Sequence, residues 1–428
     1  MKNKIKQLIQ SKGLQQSLLT VFGGMGATLI SAVAMILISR NLGPVKFGEF
    51  SVGFSLLLIL NKINDLGLSL ALLKFIPQTK NIDKQNKLFS FSIKSKFLVA
   101  VFIAILGIIA TPYLSKLLNF SNTTILYLTF ILNIFTVLYE QLLVMLQSLH
   151  KFLEAVITAT IQSLSKLVSA LVLIFILPKN ELFAFFSYLF ATAIPLLFFK
   201  KLLPKNIKLD FLQDFTKEKE TLFKMASHAA VGFIALGVID NIDILFVQKY
   251  LNAYETGLLG GAGKIAMLFS LAAYSLSTVL NSRVAKYQNK VDITKYIKKA
   301  IFLSLGIIAI YFLLLPFTKY AIFYTIGAEY IESKTILNIL LGSSFITILT
   351  TPFVAILFSL KKTEWYFSIS GIIQLLLILI GNAVYVPIFG LEAAAWTRFG
   401  TKVVLLLFTL IIITSSIKKE YYINDSKK

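Results

Sequence analysis

Runs of about twenty apolar residues recur from one end of this chain to the other, and no other feature limits its fold so severely. A helix rising 1.5 Å per residue needs about 20 residues to cross ~30 Å of hydrocarbon. Leu, Ile and Phe fill the runs without the alternation of a barrel strand. The spans are therefore helices, which satisfy every backbone N–H and C=O within their own segment. The composition agrees: 57% of the 428 residues are hydrophobic and 14% charged, where a soluble domain carries about 25% charge. The expected fold is an all-α polytopic membrane protein.

Twelve spans are expected, at 16–38, 49–72, 88–111, 123–147, 156–177, 181–199, 225–247, 257–280, 298–319, 335–359, 365–386 and 392–415. The first is followed by Arg40, not by a small-residue cleavage site, so it is read as retained. The widest polar gap, 200–224, divides six spans from six. This gives a segment 1–15, an N-terminal bundle 16–199, a linker 200–224, a C-terminal bundle 225–415 and a basic tail 416–428. An even number of spans puts both termini on one side. The termini and the loops on their side, with the adjoining Lys298 and Lys299, hold 28 of the 42 Lys and Arg residues, and the opposite loops hold seven. Both ends are therefore expected in the cytoplasm. This asymmetry accounts for most of the +22 charge, so nucleic acid is not an expected partner. In the N-terminal segment Ile5, Leu8 and Ile9 share one side with Lys2, Lys6 and Lys12 around it, as in a helix lying on an anionic leaflet.

The halves resemble each other. When "RNLGPVKFGEFSVG" from Arg40 is laid over "KYLNAYETGLLGGAG" from Lys249, Arg40 falls on Lys249, Leu42 on Leu251 and Gly48 on Gly257. Six spans per half make the repeats parallel, with a central cleft between two bundles as the expected consequence.

Charges deep in the spans carry the functional reading. Each costs roughly 2.5–3.5 kcal/mol at mid-bilayer, so they should face one another or a polar interior. The deep cations are Lys62, Lys166, Lys264, Arg398 and Lys402; the deep acids are Asp65, Glu140, Asp240 and Asp243. Lys94 and Lys96 lie near a span start and are read as snorkelling to the surface. At the helical rise, Asp240 and Lys264 fall about 10 Å below the outer surface and Arg398 about 9 Å. Asp240 and Asp243, at i and i+3, are expected to share a face and meet Lys264, with Arg398 nearby. Lys62 and Asp65 share a face in the same way, with Asn61 and Asn64 beside them. Gln162, Ser165, Lys166 and Ser169 make a polar stripe. Arg398 and Lys402, one turn apart, repel and so favour an anion or carboxylate between them.

Other chemistries lack support. "GGAGK" at 260–264 lacks the first glycine and the Ser/Thr of a P-loop, and reads as close helix packing by Gly257, Gly260, Gly261 and Gly263. There is no cysteine, and His150 and His228 are the only histidines. No metal site, cofactor or nucleophile with its base is expected, so the chain is not read as an enzyme.

The first two spans, with Arg-x-Leu-Gly-Pro-x-x-Phe-Gly at Arg40–Gly48 and Asp-Leu-Gly at Asp65–Gly67, resemble Wzx-type oligosaccharide flippases of the multidrug/oligosaccharidyl-lipid/polysaccharide exporter superfamily. "NIDILFVQKYLNAYETGLLGGAGKI" repeats the habit in the second half. There Leu-Asn-Ala stands where Leu-Gly-Pro or Leu-Gly-Ala is usual, and Ile244 where a basic residue often follows Asp243. The resemblance implies translocation of undecaprenyl-diphosphate-linked oligosaccharide from the inner to the outer leaflet of the bacterial plasma membrane, for cell-surface polysaccharide such as O-antigen. It implies Lys62, Lys166, Lys264, Arg398 and Lys402 as contacts for the anionic head, with Asp65, Glu140, Asp240 and Asp243 for charge pairing or coupling. Power would come from the membrane potential, H⁺ or Na⁺. Partners would be membrane lipids, the lipid-linked substrate and other polysaccharide-assembly membrane proteins. The alternatives are a cation-coupled multidrug exporter of the same superfamily, or a membrane polysaccharide polymerase or ligase. The last would need a larger outer loop than 320–334.

Overall fold

A computed structural model describes residues 12–177, 179–284, 290–357, 360 and 365–417. Most of the expected N-terminal amphipathic segment and of the basic tail lies outside them. Among the described residues the regular elements are all helical: α1 (Lys12–Asp65), α2 (Leu68–Gln78), α3 (Ile82–Leu117), α4 (Thr123–Ser148), α5 (Phe152–Phe175), α6 (Glu181–Leu197), α7 (Phe199–Leu202), α8 (Thr216–Ile239), α9 (Ile242–Tyr250), α10 (Ala253–Val284), α11 (Lys290–Leu314), α12 (Thr318–Thr325), α13 (Lys334–Leu357), α14 (Trp365–Phe389) and α15 (Leu391–Ile417), with short 3-10 turns at Leu315–Phe317 and Ala328–Ser333. Nine helical stretches among them are long and apolar enough to cross a membrane. One, Gly23–Asp65, covers most of the first expected span and most of the second. The sixth expected span is α6, shorter at 17 residues.

Besides the 3-10 turn Leu315–Phe317 inside the expected ninth span, the differences from twelve plain spans lie at three breaks. α1 runs through both sides of the Arg40–Gly48 turn, and Gly43 is its one non-helical residue, at φ 72 and ψ 172. The second expected span stops after Asp65, where Leu66 (φ 50) and Gly67 (φ 73) turn the chain into α2. A Cβ at Gly67 would stand 2.4 Å from the Ala226 carbonyl oxygen, so both the left-handed backbone and the close approach require glycine. The seventh expected span, 225–247, is two helices, α8 and α9, separated by Asp240 and Asn241.

The chain folds as two compact units. One comprises the residues up to Leu42 and Glu49–Asn241, and the other Gly43–Gly48 and the chain from Ile242 onward. The 200–224 segment read as the linker packs into the first unit, and the division falls at Asn241/Ile242, inside the expected seventh span. Leu203 and Phe215 are buried in a core with Leu72, Leu88, Phe89, Leu142 and Met145, joined by Ile207 and Leu209.

In the first unit α4 is the central helix, packed by α2, α3, α5 and α6. In the second, α13 holds that place, packed by α10, α11 and α15. Each is the fourth expected span of its half, as parallel repeats require. Repeat-related positions also meet directly within the second unit. A Cβ at Gly48 would lie 1.8 Å from the Ala253 oxygen, and one at Gly257 would lie 1.8 Å from the Pro44 oxygen. Gly48 corresponds to Gly257, and Pro44 to Ala253, in the alignment of the halves. The contact is thus reciprocal, like one across a two-fold axis. Phe47, fully buried, completes the turn edge-on to Tyr330, with ring centroids 6.5 Å apart.

Candidate functional site

Six of the nine deep charges gather into one cluster in each unit, while Lys166, Asp240 and Lys402 stand apart. In the second unit, Asp243 sits in the first turn of α9, 2% exposed. Its Oδ2 lies 2.7 Å from Arg398 Nη2, and the Arg398 side chain is 24% exposed. The Asp243 Oδ1 accepts the N–H of Ile244. Lys264, half-buried on α10, is close enough to feel both charges. Two cations and one carboxylate thus share a membrane-spanning interior. The expected partner of Asp243 was Lys264; the direct contact is Arg398, with Lys264 alongside.

Asp240 departs from its expected place. The helix ends at Ile239 and restarts at Ile242, so Asp240 and Asp243 do not share a helical face. Asp240 is exposed on the break and groups with the first unit, while Asp243 is buried in the second. Beside it, the Asn241 amide donates to the Gly237 carbonyl at 2.9 Å, satisfying an oxygen at the end of α8. Lys402 and Arg398 stand one turn apart as expected, but turn to different acceptors. Lys402 Nζ donates to Gln374 Oε1 at 3.3 Å, and the Gln374 amide in turn donates to the Ser370 carbonyl.

In the first unit Asp65 Oδ1 meets Lys96 Nζ at 2.6 Å, and the Lys96 side chain is only 3% exposed. Ser69 donates to Asp65 Oδ1 and accepts from Lys96 at 2.8 Å. Glu140, half-buried on α4, and Lys62 both lie within electrostatic reach of Lys96. Lys96 therefore does not snorkel: it is the counter-ion of Asp65. The missed signal is its spacing from Ser92, i to i+4 on α3, since Ser92 also faces the interior and donates to Gln141. Lys62 is exposed, its stem lying against α8, where a Cβ at Gly237 would come within 2.5 Å of Lys62 Cγ.

Lys166 is buried in a separate pocket of the first unit. Its ammonium donates to Tyr188 Oη at 3.0 Å and to Gln162 Oε1 at 3.3 Å, and lies 4.3 Å from the Tyr188 ring centroid. Of the expected stripe, Gln162 holds Lys166, while Ser165 donates back to the Ile161 carbonyl. Tyr188 was invisible as a partner because it comes from the next helix. Of the glycines read as packing residues, Gly257 and Gly261 meet Pro44 and Tyr330, whereas a Cβ at Gly263 would meet nothing within 4 Å.

These clusters stand in a chain whose residues 14–281 match the family model described as "Polysaccharide biosynthesis protein". The chain belongs to this family. No match was found among curated protein sequences. Solved structures give the fold. "Lipid II flippase MurJ, inward closed conformation" is similar over 93% of this chain and 87% of its own, with TM-score 0.75 and 16% identity. "Inward-facing conformation of a multidrug resistance MATE family transporter of the MOP superfamily" is similar over 92% and 96%, with TM-score 0.71 and 14% identity. The eukaryotic MATE transporter AtDTX14 is similar over 94% and 96%, with TM-score 0.63 and 13% identity. The polysaccharide-family resemblance read from the first two spans is borne out, and the fold is that of these MurJ and MATE structures.

Proposed function

We propose that this protein translocates an oligosaccharide linked to undecaprenyl diphosphate from the inner to the outer leaflet of the bacterial plasma membrane, by alternating access and with both termini in the cytoplasm. The observation that carries the reading is Arg398 on buried Asp243 with Lys264 beside them, two cations against one carboxylate. A pyrophosphate and its sugars cannot cross hydrocarbon unaided, while a polyprenyl tail stays in lipid. Guanidinium and ammonium groups offer charge-assisted hydrogen bonds to such a head. Asp243 holds Arg398 while the site is empty, and binding exchanges carboxylate for pyrophosphate. Lys402, one turn from Arg398, is a further contact for the head. One elementary charge crossing the membrane potential is worth about 2.3 kcal/mol per 100 mV, enough to bias a cationic site toward one side.

A second reading, a cation-coupled exporter, draws on Asp65, Glu140 and Asp240 and on the MATE-like fold. It requires a carboxylate free to take the coupling cation, and the Asp65 carboxylate is already held by Lys96 and Ser69. Proteoliposomes separate the two readings. Translocation of a fluorescent polyprenyl-diphosphate oligosaccharide without uptake of an organic cation supports the flippase, and the reverse result overturns it.

A further inference from the structure

The segment from the end of α6 to the start of α8 reads in sequence as a connection, yet it is bolted down. The Lys208 N–H donates to Asn86 Oδ1 at 3.1 Å, the Asp210 N–H donates to Ser90 Oγ at 3.0 Å, and Lys94 Nζ donates to the Phe211 carbonyl at 2.8 Å. Asn86, Ser90 and Lys94 are successive turns on one face of α3, so they grip the strap in a single register. Leu203, Ile207, Leu209 and Phe215 fill the core beneath it.

The outer side of this strap carries an unusual combination. Leu212 is 96% exposed at the tip, with Phe211 beside it, and Leu197 and Phe198 are exposed where α6 ends. Lys200, Lys201, Lys205 and Lys208 are exposed between them, and the only acid from 197 to 212 is Asp210. Its carboxylate is used inside the tip. Oδ1 accepts the Leu212 N–H at 3.0 Å and Oδ2 accepts from Gln213 Nε2 at 2.8 Å. Asp214 likewise accepts the N–H and hydroxyl of Thr216. The exposed leucine is therefore presented by a built turn, and its ordering entropy is already spent on the fold.

We propose that the 197–212 strap is a docking surface for anionic lipid headgroups of the cytoplasmic leaflet, with Leu212 inserted among the acyl chains below them. Four lysines without an opposing free acid match an anionic surface, and each Lys near such a surface adds to the attraction. An acidic soluble protein would match the charge equally. The lipid is chosen because the patch is continuous with Leu197 and Phe198, the exit of an apolar helix. The inference does not depend on which solute is carried.

The natural absence of cysteine makes the test direct. A nitroxide on Leu212→Cys in nanodiscs reports collision with oxygen, which concentrates in acyl chains, against a water-soluble nickel chelate. The expected result is oxygen-favoured collision when phosphatidylglycerol is present. It reverts to nickel-favoured in purely zwitterionic lipid and in the Lys200, Lys201, Lys205 and Lys208→Gln variant. Nickel-favoured collision in both lipids overturns the proposal and places the tip in water or against a soluble partner. Oxygen-favoured collision regardless of lipid charge overturns the headgroup assignment.

Discussion

Gly257 and Gly263 lie less than two turns apart on α10, and the same substitution at each should move stability in opposite directions. Alanine is favoured over glycine in a helix interior by about 1 kcal/mol, so each replacement starts with that gain. At Gly263 a Cβ would meet nothing within 4 Å, and the gain stands. At Gly257 the Cβ would lie 1.8 Å from the Pro44 oxygen, 2.6 Å from its carbonyl carbon and 3.0 Å from its Cα. These are backbone atoms of the turn that follows Gly43, and none can rotate aside. The turn would have to move by more than an ångström to restore ordinary contact. Overpacking of this kind costs about 1–3 kcal/mol or more, exceeding the helix gain. Thermal unfolding in detergent should therefore show Gly257→Ala below the parent and Gly263→Ala above it. Both variants shifting in the same direction would refute the close approach of the Pro44 turn to α10.

Gly67→Ala should cost about 1–2 kcal/mol from its left-handed backbone alone, with a further loss from the Ala226 oxygen, again read by unfolding. Asp243→Asn removes the carboxylate from Arg398 and should lower stability by up to about 3 kcal/mol, while the double variant with Arg398→Met should regain part of it; additive losses would contradict a direct pair. Lys96→Met alone should destabilise more than Lys96→Met with Asp65→Asn, because only the single change leaves a carboxylate uncompensated. Hydrogen bonds from the Leu212 N–H and from Thr216 hold Asp210 and Asp214 below the ordinary carboxylate value of 3.8. Their contribution is complete above pH 3.8 and is lost as pH falls through the lowered values. Amide protection at Leu212 and Thr216, corrected for intrinsic exchange, should therefore fall on acidification.

The helical spans were legible because hydrocarbon thickness fixes their length, but the start of α3 was not: Asn81, whose side chain accepts the N–H of Asp83 and Lys84, caps it well before the expected span at 88–111. The breaks were not. Hydropathy runs on through Leu66–Gly67 and Asp240–Asn241, and the first of these turns depends on the distant Ala226 carbonyl. Depth arithmetic brought Lys264 and Arg398 to the level of Asp240 but could not fix the rotation of each helix, which decided that Arg398 takes Asp243. Lys96 was misread because nearness to a span start suggests escape to water, whereas α3 turns it toward Asp65. The 200–224 strap has the composition of a linker; the Asn86, Ser90 and Lys94 register that fixes it is visible only once its partner strand of chain is known.

The account centres on the cations beside Asp243 receiving an anionic head, and Lys264→Ala tests it most directly. In proteoliposomes carrying equal amounts of folded protein, translocation of the labelled polyprenyl-diphosphate oligosaccharide should slow at least about tenfold, the equivalent of about 1.4 kcal/mol. Translocation at the parent rate would contradict it.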